Sequence, residues 1–532
     1  MAAKVTSTVA SDEKQLEQSL SEESKSESSR MEQRESQTGH NNDVEAGSQP
    51  DTLTEADKEA AAEPSSDPNI VTWDGTDDPN RPHNWTKKKK WGNMAMVSSI
   101  CFLTPLASSM VAPGVPLVMR EFNTNDEMIG SFIVSIYILG YAIGPLVIAP
   151  MSEVYGRLPV YHVNNVLFVI WTMACALSPN VGALLVFRLF AGLAGSCPIT
   201  IGGGSIADTF NQEERGGAMA LFALGPLFGP VIGPVVGGFL SEAAGWRWVF
   251  WLITIAAGVL TTAAFFLMRE TYEPVLLERR TARLRKETNN PDLRSKLATD
   301  LTKKEYFIRA IVRPTKMLFL SPTILIFSVY MAIVYGYLYL LFTTFTLVFE
   351  GVYHFSQGTV GLTFLGVGVG SLLGLGVFGS MSDKLVKRMT AKHGGVMKPE
   401  YRLPPLIPAS FLLPIGLFWY GWSAEKHAHW IVPIIGTAIF GLSTIAMFMC
   451  IQTYFVDSFT VYAASAIAAN TVLRSLVGAF LPLAGPKMYS TLGLGWGNSV
   501  LGFIAITMIP VTVLFYWKGE YIRTHPRFQV NF

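Results

Sequence analysis

The chain has 532 residues, of which half are hydrophobic and only 15% charged, with 33 Phe and 12 Trp. So much apolar surface excludes an ordinary soluble domain and points to a polytopic membrane protein. The net charge of +1 conceals two opposed parts, because residues 1–84 carry 7 Lys/Arg against 19 Asp/Glu, a net of −12 that leaves +13 on the remainder.

Residues 1–84 are rich in Ser, Glu, Gln and Asn and nearly free of aromatics until Trp73. They read as a disordered acidic tail. No basic stretch followed by an apolar core is present there, so no cleavable signal peptide is expected and the first span serves as the insertion signal. From Trp91 onward, apolar segments long enough to cross a bilayer of ~30 Å recur between polar punctuation. They are expected at 92–118, 127–149, 159–178, 183–207, 216–240 and 247–268, making a first half over 85–268. A charged amphipathic linker over 269–316 follows. The second half, 317–517, has spans at 317–348, 358–381, 403–422, 430–456, 461–485 and 495–517, and residues 518–532 form a tail. The expected fold is therefore all-α, two six-helix bundles around a central cavity.

Basic residues set the orientation. Lys87–Lys90, the linker's Arg279, Arg280, Arg283, Arg285, Lys286, Lys303 and Lys304, and Lys384, Lys387, Arg388 and Lys392 all fall on one side of twelve crossings, as do Lys518, Arg523 and Arg527. The positive-inside rule places both termini and the linker in the cytoplasm. Met151-Ser152-Glu153 after span two parallels Met381-Ser382-Asp383 after span eight. Ala207-Asp208-Thr209-Phe210 after span four parallels Val456-Asp457-Ser458-Phe459 in span ten. Matching positions in matching spans indicate a duplicated transporter with its substrate site between the halves.

Span five carries GPLFGPVIGPVVGG, with Gly225, Gly229, Gly233 and Gly237 on one helical face, Gly238 beside them, and Pro226, Pro230 and Pro234 interleaved. Small residues at this spacing let another helix approach to backbone contact. Gly366, Gly370 and Gly374 of span eight repeat the spacing, and the two faces are expected to slide on one another. A single buried charge within a span costs at least ~2.5 kcal/mol, so Arg188 and Arg474 are expected to face the bundle interior or pair, and an arginine such as Arg188 can instead lock a helix end through backbone carbonyls. Asp208 and Asp457, at the cytoplasmic ends of spans four and ten, could titrate when dehydrated or act as static partners of Arg157, Arg215 or the loop basics. Glu153 and Asp383 are suited to capping helix N-termini at a cytoplasmic gate. Tyr137, Tyr337, Gln452 and Asn470 are candidate cavity groups, since apolar walls with a few hydrogen-bonding tips suit bulky amphipathic ligands. For Tyr339 an interfacial aromatic belt remains an equal reading.

Cys101, Cys175, Cys197 and Cys450 all lie in apolar stretches and are assigned to packing. No metal, no cofactor and no nucleic-acid partner is expected. No phosphate-binding loop is present, which argues against direct ATP coupling, and no catalytic constellation marks an enzyme. His427 and His429 read as a surface pair.

These residues resemble a fungal member of the major facilitator superfamily, in its twelve-span drug:proton antiporter group, over nearly all of 77–517. The Gly-Pro repeats match that group's antiporter motif. Ala149, Glu153, Gly156 and Arg157 occupy four places of the loop motif, with Val154 and Leu158 in its basic places. Gly379, Asp383, Lys384, Lys387 and Arg388 form a second copy, with Val386 in its glycine place. Leu184, Arg188 and Gly192 carry a third motif, with Ala191 where glutamine is usual. Asp77–Trp85 and Arg269–Pro274 are also typical of fungal drug-efflux members. The resemblance implies a plasma-membrane antiporter that exchanges protons for hydrophobic or amphipathic drugs, fungicides, toxins or secondary metabolites, with Arg188 linked to proton coupling; a monomer is the default expectation. A polyamine exporter is a near alternative, disfavoured because the spans offer few carboxylates. A channel or membrane enzyme finds no support in the residues, and a transporter-like receptor is hinted at only by the acidic tail.

Overall fold

Among the described residues, eleven helical runs are long and apolar enough to cross a membrane. The computed structural model describes residues 68–525 apart from 76, 299–301, 394–396 and 460–461; at 212, 213, 216, 220, 303, 306, 380 and 383 it describes the backbone alone. Span one is α1 (Lys87–Ser109), continued after a 3₁₀ turn by α2 (Val115–Glu121). Spans two and three are α3 (Glu127–Tyr155) and α4 (Arg157–Ala176). Span four is broken at Ser196 into α5 (Val181–Gly195) and α6 (Cys197–Ala207). Spans five and six are α7 (Gln212–Ala244) and α8 (Trp246–Leu267). The linker holds α9 (Glu273–Thr288) and α10 (Lys303–Leu320). There follow α11 (Pro322–Gly351), α12 (Gln357–Thr363) with α13 (Leu365–Lys392), α14 (Leu406–Glu425), α15 (Ile431–Phe459), α16 (Ala463–Phe480) and α17 (Gly485–Thr524).

The eleventh run, Ala463–Thr524, has 62 residues, about 90 Å of helix and enough for two crossings. It turns at Gly493, whose φ of 77° only glycine adopts readily. Beyond the turn, the N–H groups of Leu494 and Gly495 donate to Glu425 at one end of α14, while Arg523 reaches Glu400 at the other. The final helix therefore runs antiparallel to α14.

Local chemistry explains the other boundaries. Asp126 caps α3 by accepting from Met128 N–H, and Asn180 caps α5 by accepting from Ala183 N–H. The short Ser178-Pro179-Asn180 turn thus separates spans three and four as expected. Gly156 and Gly245, at φ 99° and 89°, make the tight α3–α4 and α7–α8 turns. The seventh span starts later than expected: Ser321 breaks the chain and Pro322 opens α11, so 317–320 complete the linker helix. Val163, Ile170, Val259 and Phe266 are exposed apolar side chains on α4 and α8, the surface a lipid-facing helix requires.

The expectation of a disordered tail through residue 84 fails at its C-terminal end; residues 1–67 lie outside the described part of the chain. Ile70–Val71 form a strand, β1, that pairs in parallel with β2 (Arg294–Ser295) in the linker. Asp78 is buried, accepts from the N–H groups of Asn80 and Asp74, and pairs with Arg280 at 3.0 Å. Burial pushes its carboxyl up, but those N–H groups and the guanidinium outweigh burial and hold it below its ordinary value. The Asp77–Trp85 and Arg269–Pro274 stretches also meet, through Arg81 and Glu273 at 3.0 Å.

Candidate functional site

The side chains singled out in the sequence fall into three places: the linker-side ends of the helices, the seam between the halves, and a polar cluster inside the second half. At the linker-side end of the first half, Gly156 lets the chain turn sharply so that Arg157 opens α4. Arg157 Nε donates to Asp208 Oδ2 at 3.1 Å and Nη1 donates to Ser152 Oγ at 2.7 Å, while its guanidinium lies 4.6 Å from the Tyr272 ring. Burial pushes the Asp208 carboxyl up to about 6, against the pull of Arg157. Arg215 instead donates to the carbonyls of Ala207 and Phe210. The carboxylate seated on the N-terminus of α4 is Glu270, buried, accepting from Arg157 N–H at 2.9 Å and Leu158 N–H at 3.2 Å. Glu153 is half-buried close by.

The second half repeats this arrangement. Arg402, just before α14, pairs with Asp457 at 2.8 Å. Arg523 and Glu400 pair at 3.1 Å, so the charge signs are exchanged relative to Glu270 and the start of α4. Asp383 lies in α13, and its side chain is outside the described residues. Both arginine–aspartate pairs join helices of the same half. They brace each bundle internally and do not bolt the halves together.

Arg188 is buried in α5. Its Nη2 donates to the carbonyls of Ser108 at 3.0 Å and Val134 at 3.3 Å, and its guanidinium lies over Tyr137 and Phe250. No carboxylate pairs with it among the described residues. Tyr137 has its hydroxyl committed to Thr104 O at 3.0 Å, so it props this arginine and is not a free cavity tip. Tyr337 is likewise committed, donating to Leu501 O at 3.0 Å within the second half. The exposed-belt reading of Tyr339 fails: the ring is buried and its hydroxyl bonds Ser108 Oγ across the seam at 3.0 Å.

The glycine ladder takes a different partner from the one expected. A methyl group at Gly225 would stand 2.9 Å from Cys101 C, one at Gly229 2.8 Å from Leu106 N, and one at Gly233 2.8 Å from Leu106 O; one at Gly237 would collide with Met110 O. This face of α7 is pressed on α1 in its own half. Gly366, Gly370 and Gly374 are pressed on α15 of theirs, through Thr437, Ala438 and Leu442. The spacing was legible but not the neighbour, since any close-packed helix satisfies it. The face of α7 that meets the second half is the adjacent one: Gly238 lies against Gln357, Pro234 O against Gly361, and Val231 against Gly368. Glu242 reinforces that contact by accepting from Gly358 N–H at 2.8 Å and Ser356 Oγ at 3.0 Å. Pro226 and Pro230 lie within the same continuous helix.

In the second half, Asn470 and Arg474 share one face of α16. The Arg474 guanidinium lies 5.0 Å from the Tyr335 ring and 5.1 Å from Phe448 on α15. Gln452 follows Phe448 by one turn. Arg474 Nε, both polar atoms of Asn470 and Gln452 Oε1 are buried without a hydrogen-bond partner among the described residues. Sequence reasoning missed Glu270, Arg402 and the Ser108–Tyr339 contact. Glu270 sits in the stretch already marked by resemblance, but the role of a cap depends on which helix end lies over it.

Comparison with known proteins is consistent with this geometry. Residues 97–482 match the Major Facilitator Superfamily. The chain is 58% identical to the MFS-type transporter penM of Penicillium rubens, over 92% of this chain and 95% of that one. It is 52% identical to the efflux pump radE of Floropilus chiversii, over 88% and 87%. The xylose transporter XylE of E. coli, in a partially occluded inward open conformation, superposes with a TM-score of 0.59 at 17% identity, covering 81% of this chain and 98% of that one.

Proposed function

The chain belongs to the major facilitator superfamily of membrane transporters, and from that premise we propose that it is a proton-coupled antiporter that exports hydrophobic or amphipathic small molecules. The observation that carries the proposal is where the two halves touch. Glu242–Gly358, Gly238–Gln357 and Ala112–Thr346 all lie toward the end remote from the linker, with Ser108–Tyr339 deeper in the seam. Together with the packing of α3 on α16, these contacts form the seam across which one half can rock against the other to alternate access.

Export as the direction is supported by the similarity to a named efflux pump. With the linker and both termini in the cytoplasm of a plasma-membrane monomer, the Glu242–Gly358 end of the seam faces outward and export carries substrate toward it. Asp208 supports coupling to protons, because a carboxyl raised to about 6 changes charge within the physiological range. Drugs, fungicides, toxins and secondary metabolites are the candidate cargo. Polyamines remain disfavoured, since a polycation needs carboxylates in the spans and the acids found there lie near their ends.

Expression in a pump-deficient yeast tests the proposal. Retention of at least one member of a chemically diverse compound panel is expected to fall, and a protonophore to restore it. Unchanged retention across the panel defeats export, and indifference to the protonophore defeats proton coupling.

A further inference from the structure

The two intramembrane arginines are not equivalent. Both lie against two aromatic rings with an Nε–H that finds no acceptor, but Arg188 is also held through Nη2 by two backbone carbonyls, and no such bond holds Arg474 among the described residues. No carboxylate lies within ion-pair distance of Arg474 among the described residues, and the guanidinium remains charged at any physiological pH. An uncompensated charge in a span is costly and marks function. One turn away on the same helix face, Asn470 is fully buried with both its amide N–H₂ and its carbonyl unpaired. Gln452 contributes a third unsatisfied group, from α15. Buried polar groups left unpaired by the protein need partners from elsewhere.

We propose that Arg474 and Asn470 form the docking point for an anionic group, a carboxylate or a comparably acidic hydroxyl, on the exported molecule. The inference rests on the export reading and narrows its cargo from amphipathic compounds in general to lipophilic weak acids. The guanidinium supplies charge and a directed N–H, the Asn470 amide a second donor, and Tyr335 and Phe448 the flat apolar walls against which the body of such a molecule lies. The Asn470 carbonyl and Gln452 Oε1 accept from a hydroxyl or amide elsewhere on the same molecule.

The test uses full-length protein in phosphatidylcholine nanodiscs, where no anionic lipid competes, with 2-naphthoate, 1-pyrenebutyrate and a bile acid each compared with its neutral amide. A carboxylate is expected to raise the thermal midpoint where its amide does not. Arg474→Gln should weaken carboxylate binding about tenfold or more, the scale of a charge-assisted hydrogen bond, while Arg474→Lys retains part of it. Asn470→Ala, which removes no charge, should weaken it less and serves as the second readout if Arg474→Gln does not fold. Equal protection by acids and amides, no protection by any acid, or tight carboxylate binding by Arg474→Gln would each overturn the proposal. Cellular retention separates it from the export reading: if neutral compounds are exported as well as acids and Arg474→Gln exports both normally, export stands and the anion site falls. If no compound is exported at all, it is the export reading that falls.

Discussion

Arg157 Nε stands 3.1 Å from Asp208 Oδ2, and this pair braces the start of α4 against the end of α6 in the same half. The corresponding pair, Arg402 and Asp457, stands at 2.8 Å in the second half. The duplication visible in the sequence at Asp208 and Asp457 thus extends to their partners, although no shared motif brings Arg157 and Arg402 together.

Asp208 should make stability depend on pH with a definite sign. Its folded pKa of about 6 lies above the ordinary 3.8, so its contribution is fully present below about 4 and is lost as pH rises through 6. The difference is at most about 3 kcal/mol. Asp208→Asn should flatten that part of the profile. Thermal midpoints of the two proteins between pH 4 and 7.5 check it, and an unchanged difference between them would remove Asp208 as its source.

Glu270 should prove structural. It holds the first two N–H groups of α4 as well as those of Thr271 and Tyr272. Glu270→Ala leaves these donors buried and should cost about 1–3 kcal/mol, with Glu270→Gln milder. Surface abundance and thermal midpoint should fall together.

Arg188→Ala should abolish export yet leave the fold intact or slightly more stable. The Val134 carbonyl lies within α3, whose own ladder also uses it, and although the Ser108 carbonyl in the last turn of α1 loses the Arg188 donor, removing a buried unpaired charge is favourable. Transport assayed at matched surface abundance decides the role. Normal export would reduce Arg188 to a strut between spans one and two.

The glycines divide by what they touch. Gly233→Leu should depress surface abundance and transport in parallel, because the side chain would drive α1 from α7. Gly361→Ala, set against Pro234 O between the halves, should slow transport more than it lowers abundance. Gly376→Ala meets nothing within 4 Å and should be silent. Abundance-normalised efflux for the three variants distinguishes these outcomes.

The sequence by itself determined the membrane class, the succession of apolar spans, the paired motifs and the family, because each is written in local composition and spacing. It also singled out Arg188 and Arg474, which lie buried in the bundles. What it left open was which surfaces meet. The ladder at Gly225–Gly237 has the same period whether it faces α1 or α13, and a tyrosine such as Tyr339 reads alike in a lipid belt or across a seam. Glu270, Arg402 and the contrast between Arg188 and Arg474 emerged only once distant helices were brought within 3–5 Å. Hydrogen bonding and charge compensation act at those distances and leave no local period for the sequence to carry.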